Sequence, residues 1–186
     1  VIELHVRSAV SELQLIGPYS RFKWHHPGPA MFYFLAPFYK VFSGQSQSLF
    51  LGSICLHLFS VSGILLIARK LFDSCFLLLI SISMLTVVYM MGPIQLMVPW
   101  NPYLAVYPFG LFLLSSTGVV IKGWQYLPIH FAIGSFVVQT HISYLPVCLF
   151  ILLLVVSLRI FNARGLINLS TSLTHPRRYF LISMFI

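Results

Sequence analysis

Apolar residues fall along the chain in long runs separated by short polar breaks, and the length of each run decides what it can be. A helix crossing the hydrocarbon core of a bilayer needs about 20 mostly apolar residues. Residues 1–29 fail that requirement: Glu3, Arg7, Glu12, Arg21, Lys23 and three histidines are spread through them, which assigns them to water or an interface. Residues 30–43 are apolar and aromatic, but Lys40 punctuates them and Pro37 removes a backbone donor. They read as a short interfacial helix interrupted at the proline. Complete spans are predicted at about 48–68, 74–91, 103–121, 127–139 and 143–158, the fourth of them short and carrying Pro128. Residues 162–178 are polar and basic, and 179–186 begin a further apolar run.

The pattern predicts an all-α membrane protein, a polytopic helical bundle. Residues 1–47 would form an extracytoplasmic loop with its interfacial helix. Residues 48–186 would form the transmembrane region, with five complete spans and the start of a sixth. The chain opens on Val1 and closes inside an apolar run, so it is expected to be a fragment of a longer protein.

Composition sharpens this picture. Hydrophobic residues are 59% of the chain and charged residues 8%, against roughly a quarter charged in a soluble domain. Eleven Lys/Arg and three acids cannot coat a water-soluble globule. The net charge of +8 does not point to nucleic acid, because the cations sit singly at the ends of apolar runs and form no dense stripe. They also carry topology. Arg69, Lys70, Lys122, Arg159, Arg164, Arg177 and Arg178 belong to one set of loops; Arg7, Arg21, Lys23 and Lys40 belong to the other. Seven against four puts the first set in the cytoplasm. The opening loop, residues 92–102 and residues 139–141 then share the outer face. The sequon Asn168-Leu169-Ser170 falls on the cytoplasmic side.

The richest chemistry lies between Gly17 and Pro29. Glycines and prolines there fix a backbone path, and Arg21, Lys23, His25 and His26 are packed among aromatic rings. Arg and Lys suit a phosphate, and the rings suit a sugar face or lipid tail. An aromatic belt with snorkelling cations reads the same residues equally well. Asn101, in Trp100-Asn101-Pro102-Tyr103, is either a helix N-cap or a binding group. Gln139-Thr140-His141 is either a short loop or a polar site at membrane depth. His57 and His130 lie inside spans and are expected to pack. Cys55, Cys75 and Cys148 sit in apolar runs with no metal or redox spacing. No P-loop, HExxH or GxSxG motif occurs. No motif calls for a cofactor, and a divalent cation is the one candidate left open.

At Ser20-Arg21-Phe22-Lys23-Trp24-His25-His26-Pro27-Gly28-Pro29, followed by Phe32-Tyr33-Phe34-Leu35-Ala36-Pro37, the chain resembles the GT-C glycosyltransferases. That superfamily includes the protein mannosyltransferases and aminoarabinose transferases, many of which carry a His-Pro-Pro-like motif in the first large outer loop. The nearest likeness is to a bacterial branch with Ser-Arg-x-x-Trp-x-His-Pro-Gly-Pro, in which Lys23 stands where glycine is expected. Ile2-Glu3-Leu4, Trp100-Asn101-Pro102 and Val138-Gln139-Thr140-His141 extend the likeness from residue 2 to about 147.

The resemblance implies a multi-pass protein of the bacterial inner membrane. It would move a sugar from a polyprenyl-phosphate donor to a glycan, lipid or protein acceptor on the extracytoplasmic face. An acid in the first outer loop would be the catalytic base, and Glu3 falls near that place. Arg21 and Lys23 would hold the phosphate, and His25, His26, Asn101, Gln139 and His141 would orient donor or acceptor. The alternative is a transporter or flippase of a lipid-linked or polar solute, with Pro128 marking a broken helix at its site.

Overall fold

The structure, a computed structural model, describes residues 1–20 and 22–163. Among these the chain is all-α, with nine α-helices, two 3₁₀ turns and no strand beyond an isolated bridge between Tyr19 and His25. Arg21, the basic loop from Arg164 onward, the sequon and the apolar run 179–186 lie outside the described residues.

The first helix, α1 (Ile2–Ser11), falls where a loop was expected. Ile2, Val6 and Ala9 recur at helical spacing and turn to one side, and Val6 is fully buried against α2 (Ala30–Val41). The two helices run antiparallel, since Glu3 meets Tyr39 while Gln14 meets Tyr33. Pro37 does not interrupt α2. Pro37 and Tyr33, whose carbonyl loses its partner at the proline, both lie on the exposed side, so that carbonyl need not be satisfied inside the fold. Met31, Phe32 and Leu35 bury the other side against Leu49 and Leu56 of α3 (Gln47–Leu71).

Next come α4 (Ser74–Met91), the short α5 (Pro93–Met97) and α6 (Asn101–Leu104), then α7 (Val106–Lys122), α8 (Leu127–Thr140) and α9 (Leu145–Ala163). The central helix is α7, packed between α3 on one side and α8 and α9 on the other. It runs in the same direction as α3, with His57 beside Tyr107 and Gly63 beside Leu111. Opposite in direction is α8, with Tyr126 just before its start against Gly118 and Gly134 against Phe112. These directions gather the loop before α2, the α5–α6 segment and the end of α8 at one end of the bundle. Arg69, Lys70, Lys122 and Arg159 fall at the other, where the Arg159 guanidinium donates to the Val120 carbonyl at 3.3 Å.

Four helical stretches are long and apolar enough to cross a membrane: Gln47–Leu71, Ser74–Met91, Asn101–Lys122 and Ile142–Ala163. The expected fourth span is not among them. The 14 residues of α8 reach about 21 Å at 1.5 Å per residue, short of a hydrocarbon core of roughly 30 Å. Pro128 lies in the first turn of α8, where its missing N–H costs no hydrogen bond, so it breaks no helix.

The outer surfaces of these helices are apolar. No residue of α4 is buried, and Leu78, Leu79, Ile82, Leu85 and Tyr89 are all exposed. Each such side chain left in water forgoes about 1.5–3 kcal/mol, a cost that an apolar solvent removes. The hydroxyls along these helices are satisfied internally. Ser53, Ser60, Ser81, Ser83 and Thr86 each donate to the carbonyl one turn back, at 2.8–2.9 Å, as a water-free medium requires.

Candidate functional site

The segment from Gly17 to His26 folds back on itself as a clasp. The Gly17 amide donates to the His26 carbonyl at 3.0 Å and the His26 amide to the Pro18 carbonyl at 2.9 Å. Further out, the Ser20 amide donates to the Trp24 carbonyl at 2.8 Å. Lys23 sits exposed near the tip with φ +64°, a left-handed conformation uncommon for a side-chain-bearing residue. The close pairing depends on Gly17, because a Cβ there would meet the carbonyl oxygens of Gly28 at 2.5 Å and His26 at 2.7 Å.

Extended backbone sends consecutive side chains to opposite sides, and the two imidazoles part accordingly. His25 stays with the loop: its Nδ1 donates to the Gly17 carbonyl at 3.0 Å, and its ring lies 5.0 Å from Tyr19 and 6.2 Å from His5. His26 turns into the bundle and is only 4% exposed. Its Nδ1 accepts a hydrogen bond of 3.0 Å from the Ile142 amide, so the proton of the neutral ring is on Nε2. The His26 ring is 4.8 Å from His141 and 4.9 Å from Trp24. Burial, then His141, then His25 push the His26 pKa below the usual imidazole value, and burial does the same to His141. Both rings are neutral at pH 7.

The end of α8 completes the cluster. Gln139 rests against Gly28, where an added Cβ would overlap the Gln139 side chain, lying 2.6 Å from its Cδ. The Gln139 amide nitrogen donates to Ser135 at 3.0 Å. Asn101 does not cap its helix. Trp100 occupies that position without a side-chain cap, and the Asn101 Nδ2, one residue further in, donates to the Thr140 carbonyl at 3.3 Å. It is buried and ties α6 to α8. The His141 Nδ1 is buried and has no hydrogen-bond partner among the described residues.

Of the residues singled out from the sequence, His26 and His141 thus meet ring to ring, Gln139 rests on Gly28 two residues further along the loop, Asn101 holds the backbone beside them, and His25 and Lys23 belong to the same clasp. Arg21 lies outside the described residues. Glu3 is not brought to the group. Its carboxylate accepts from Ser46 at 2.8 Å and Tyr39 at 3.2 Å. Tyr39 lies roughly 10 Å along α2 from Phe32, which stacks on His5. Among the described residues no three His, Cys, Asp or Glu side chains converge to hold a metal ion, so a divalent cation has no built site there.

Reading by motif overlooked Trp24 as a ring on His26, and His5 as the link to α1. The His5 contact carries no spacing signal, since it arises only when the clasp meets α1, whereas the i, i+2 spacing of Trp24 and His26 on extended backbone is a local signal for theirs. His57 and His130 bond within the bundle, His57 to the Leu96 carbonyl at 3.0 Å and His130 to the Ser115 hydroxyl at 3.1 Å. An apolar cleft of about 300 Å³ lies between α3, α4, α5 and α7, lined in part by His57, Met84, Leu96 and Tyr107. No family model, curated protein or solved structure matches the chain.

Proposed function

We propose that the chain belongs to a multi-pass bacterial inner-membrane glycosyltransferase of the GT-C kind, which moves a sugar from a polyprenyl-phosphate donor to an acceptor on the extracytoplasmic face. One observation carries the reading: the His-Pro-Gly-Pro loop is fastened, through His26 and Gly28, to Gln139, His141 and the Ile142 amide. Three of the stretches on which the resemblance rests, 20–29, 100–102 and 138–141, thereby meet at one end of the bundle. That end is opposite the cluster of Arg69, Lys70, Lys122 and Arg159. The apolar cleft beside α5 suits a hydrocarbon tail.

In this reading the leaving phosphate gains negative charge, and Lys23 with Arg21 stabilises it. The neutral imidazoles of His26 and His141 with the Gln139 amide offer hydrogen bonds without adding charge, which suits sugar hydroxyls. The acceptor hydroxyl surrenders its proton to a carboxylate. For Glu3 to serve, the acceptor must reach its position beside Tyr39, so Glu3→Gln separates that arrangement from one in which the base lies elsewhere.

The test uses the full-length protein in native membranes with radiolabelled polyprenyl-phosphate sugars. Transfer is expected, and Arg21→Ala or His26→Ala at unchanged expression should lower it by about 100-fold or more, the scale of losing one aligned charge-stabilising donor. Labelled lipid crossing the bilayer with no donor consumed would replace this reading by the transporter. Donor consumed equally by parent and both variants would move the site away from the loop.

A further inference from the structure

We infer that His26 is a proton-operated latch: its neutral ring holds the 17–29 loop on the end of α8, and acidification releases the loop. The inference does not depend on what reaction the site performs. The latch is a hydrogen bond of fixed polarity. The Ile142 amide can only donate, so the Nδ1 of His26 must offer a lone pair. An imidazolium carries hydrogen on both nitrogens, and two donors would then face each other. The amide also opens the helical stretch Ile142–Ala163, whose first turn carries partial positive charge and further disfavours a cation.

The surroundings offer a charged His26 nothing in compensation. Facing it is His141 at the end of α8, with Tyr144 edge-on behind His141 at 6.1 Å, while His25, turned to the other side of the same loop, is still near enough to disfavour a charge on His26. Lys23 adds a positive charge to the same loop, and His5 on α1 faces His25. None of the three carboxylates, Glu3, Glu12 and Asp73, bonds to His26. Glu3 is engaged with Ser46 and Tyr39, and Asp73 caps α4 at the opposite end of the bundle. Burial and the neighbouring imidazoles lower the pKa of His26 in the docked loop. Docking is therefore fully present above about pH 6.5, the ordinary imidazole value, and is lost as pH falls through the lower value of the docked state.

Trp24, edge-on to the His26 ring at 4.9 Å, reports the latch once Trp100 and Trp124 are replaced by Phe. The chain is placed in nanodiscs of neutral phosphatidylcholine and taken from about pH 7.5 to about pH 5. Trp24 emission is expected to shift to the red reversibly, and its quenching by acrylamide to rise about twofold or more as the loop opens. His26→Asn keeps an acceptor and cannot gain a proton, so its emission should stay that of the closed loop throughout. His26→Ala should show the open-loop emission at both ends of the range. A flat parent profile, a transition that survives in His26→Asn, or closed-loop emission from His26→Ala at neutral pH would each overturn the latch.

Discussion

Gly17→Ala is expected to release the 17–29 loop from the bundle. The added methyl meets two backbone carbonyls, at Gly28 and His26, and neither is the tip of a side chain that could swing aside. Relief requires the strands of the clasp to part, which breaks the hydrogen bonds between Gly17 and His26 and between His26 and Pro18. Overpacking of this kind costs about 1–3 kcal/mol, or roughly 5- to 150-fold in the ratio of open to closed loop. Limited trypsin digestion in membranes, followed by mass spectrometry of the cut after Lys23, reads that ratio directly when opening is fast relative to cleavage.

Gly28→Ala gives the contrast that identifies the cause. The atoms nearest its methyl all belong to the Gln139 side chain, so Gly28→Ala should accelerate cleavage and the double variant with Gln139→Ala should restore it. Equal cleavage of the parent and Gly17→Ala would mean that the clasp does not depend on this close approach.

The sequence made the long helices legible because run length is a one-dimensional property. The stretches 48–68, 74–91, 103–121 and 143–158 fall within the helical stretches Gln47–Leu71, Ser74–Met91, Asn101–Lys122 and Ile142–Ala163. Where the apolar signal was thin, the reading failed. The core face of α1 is only Ile2, Val6 and Ala9, interleaved with Glu3 and Arg7, and its helix is evident only once Val6 has Phe32 and Leu35 to pack against. The stretch 127–139 was apolar enough to pass for a span, but 3₁₀ turns at Trp124–Tyr126 and Ile142–Tyr144 bound its helix. At the candidate site the polar stretches were visible one by one, while their meeting was not. His26 and the Ile142 amide are 116 residues apart, a separation no local pattern encodes. The same limit explains Asn101: the Asn-Pro pair announces a helix start, but only the fold reveals that its amide crosses to Thr140.

Phe112→Ala is expected to be strongly destabilising, because it opens the seam that keeps α8 in place. Too short to cross a bilayer alone, α8 depends on α7 for its position. Phe112 is 2% exposed, stacks on His130 at 4.2 Å and fills the space above Gly134. Buried Phe→Ala changes cost about 3–5 kcal/mol in water-soluble cores. Helices that separate within lipid keep an apolar solvent, so packing rather than transfer supplies the loss, and about 3 kcal/mol is the expected size. Leu79→Ala on the exposed face of α4 should change stability by only about 0.5 kcal/mol, since lipid replaces what is removed. Unfolding by SDS titration in bicelles compares the two. Because the end of α8 carries Gln139, Thr140 and His141, Phe112→Ala should also raise trypsin cleavage after Lys23, coupling a seam in the middle of the bundle to the loop at its end. Destabilisation by Leu79→Ala equal to that by Phe112→Ala would place the exposed face of α4 against a protein partner rather than lipid.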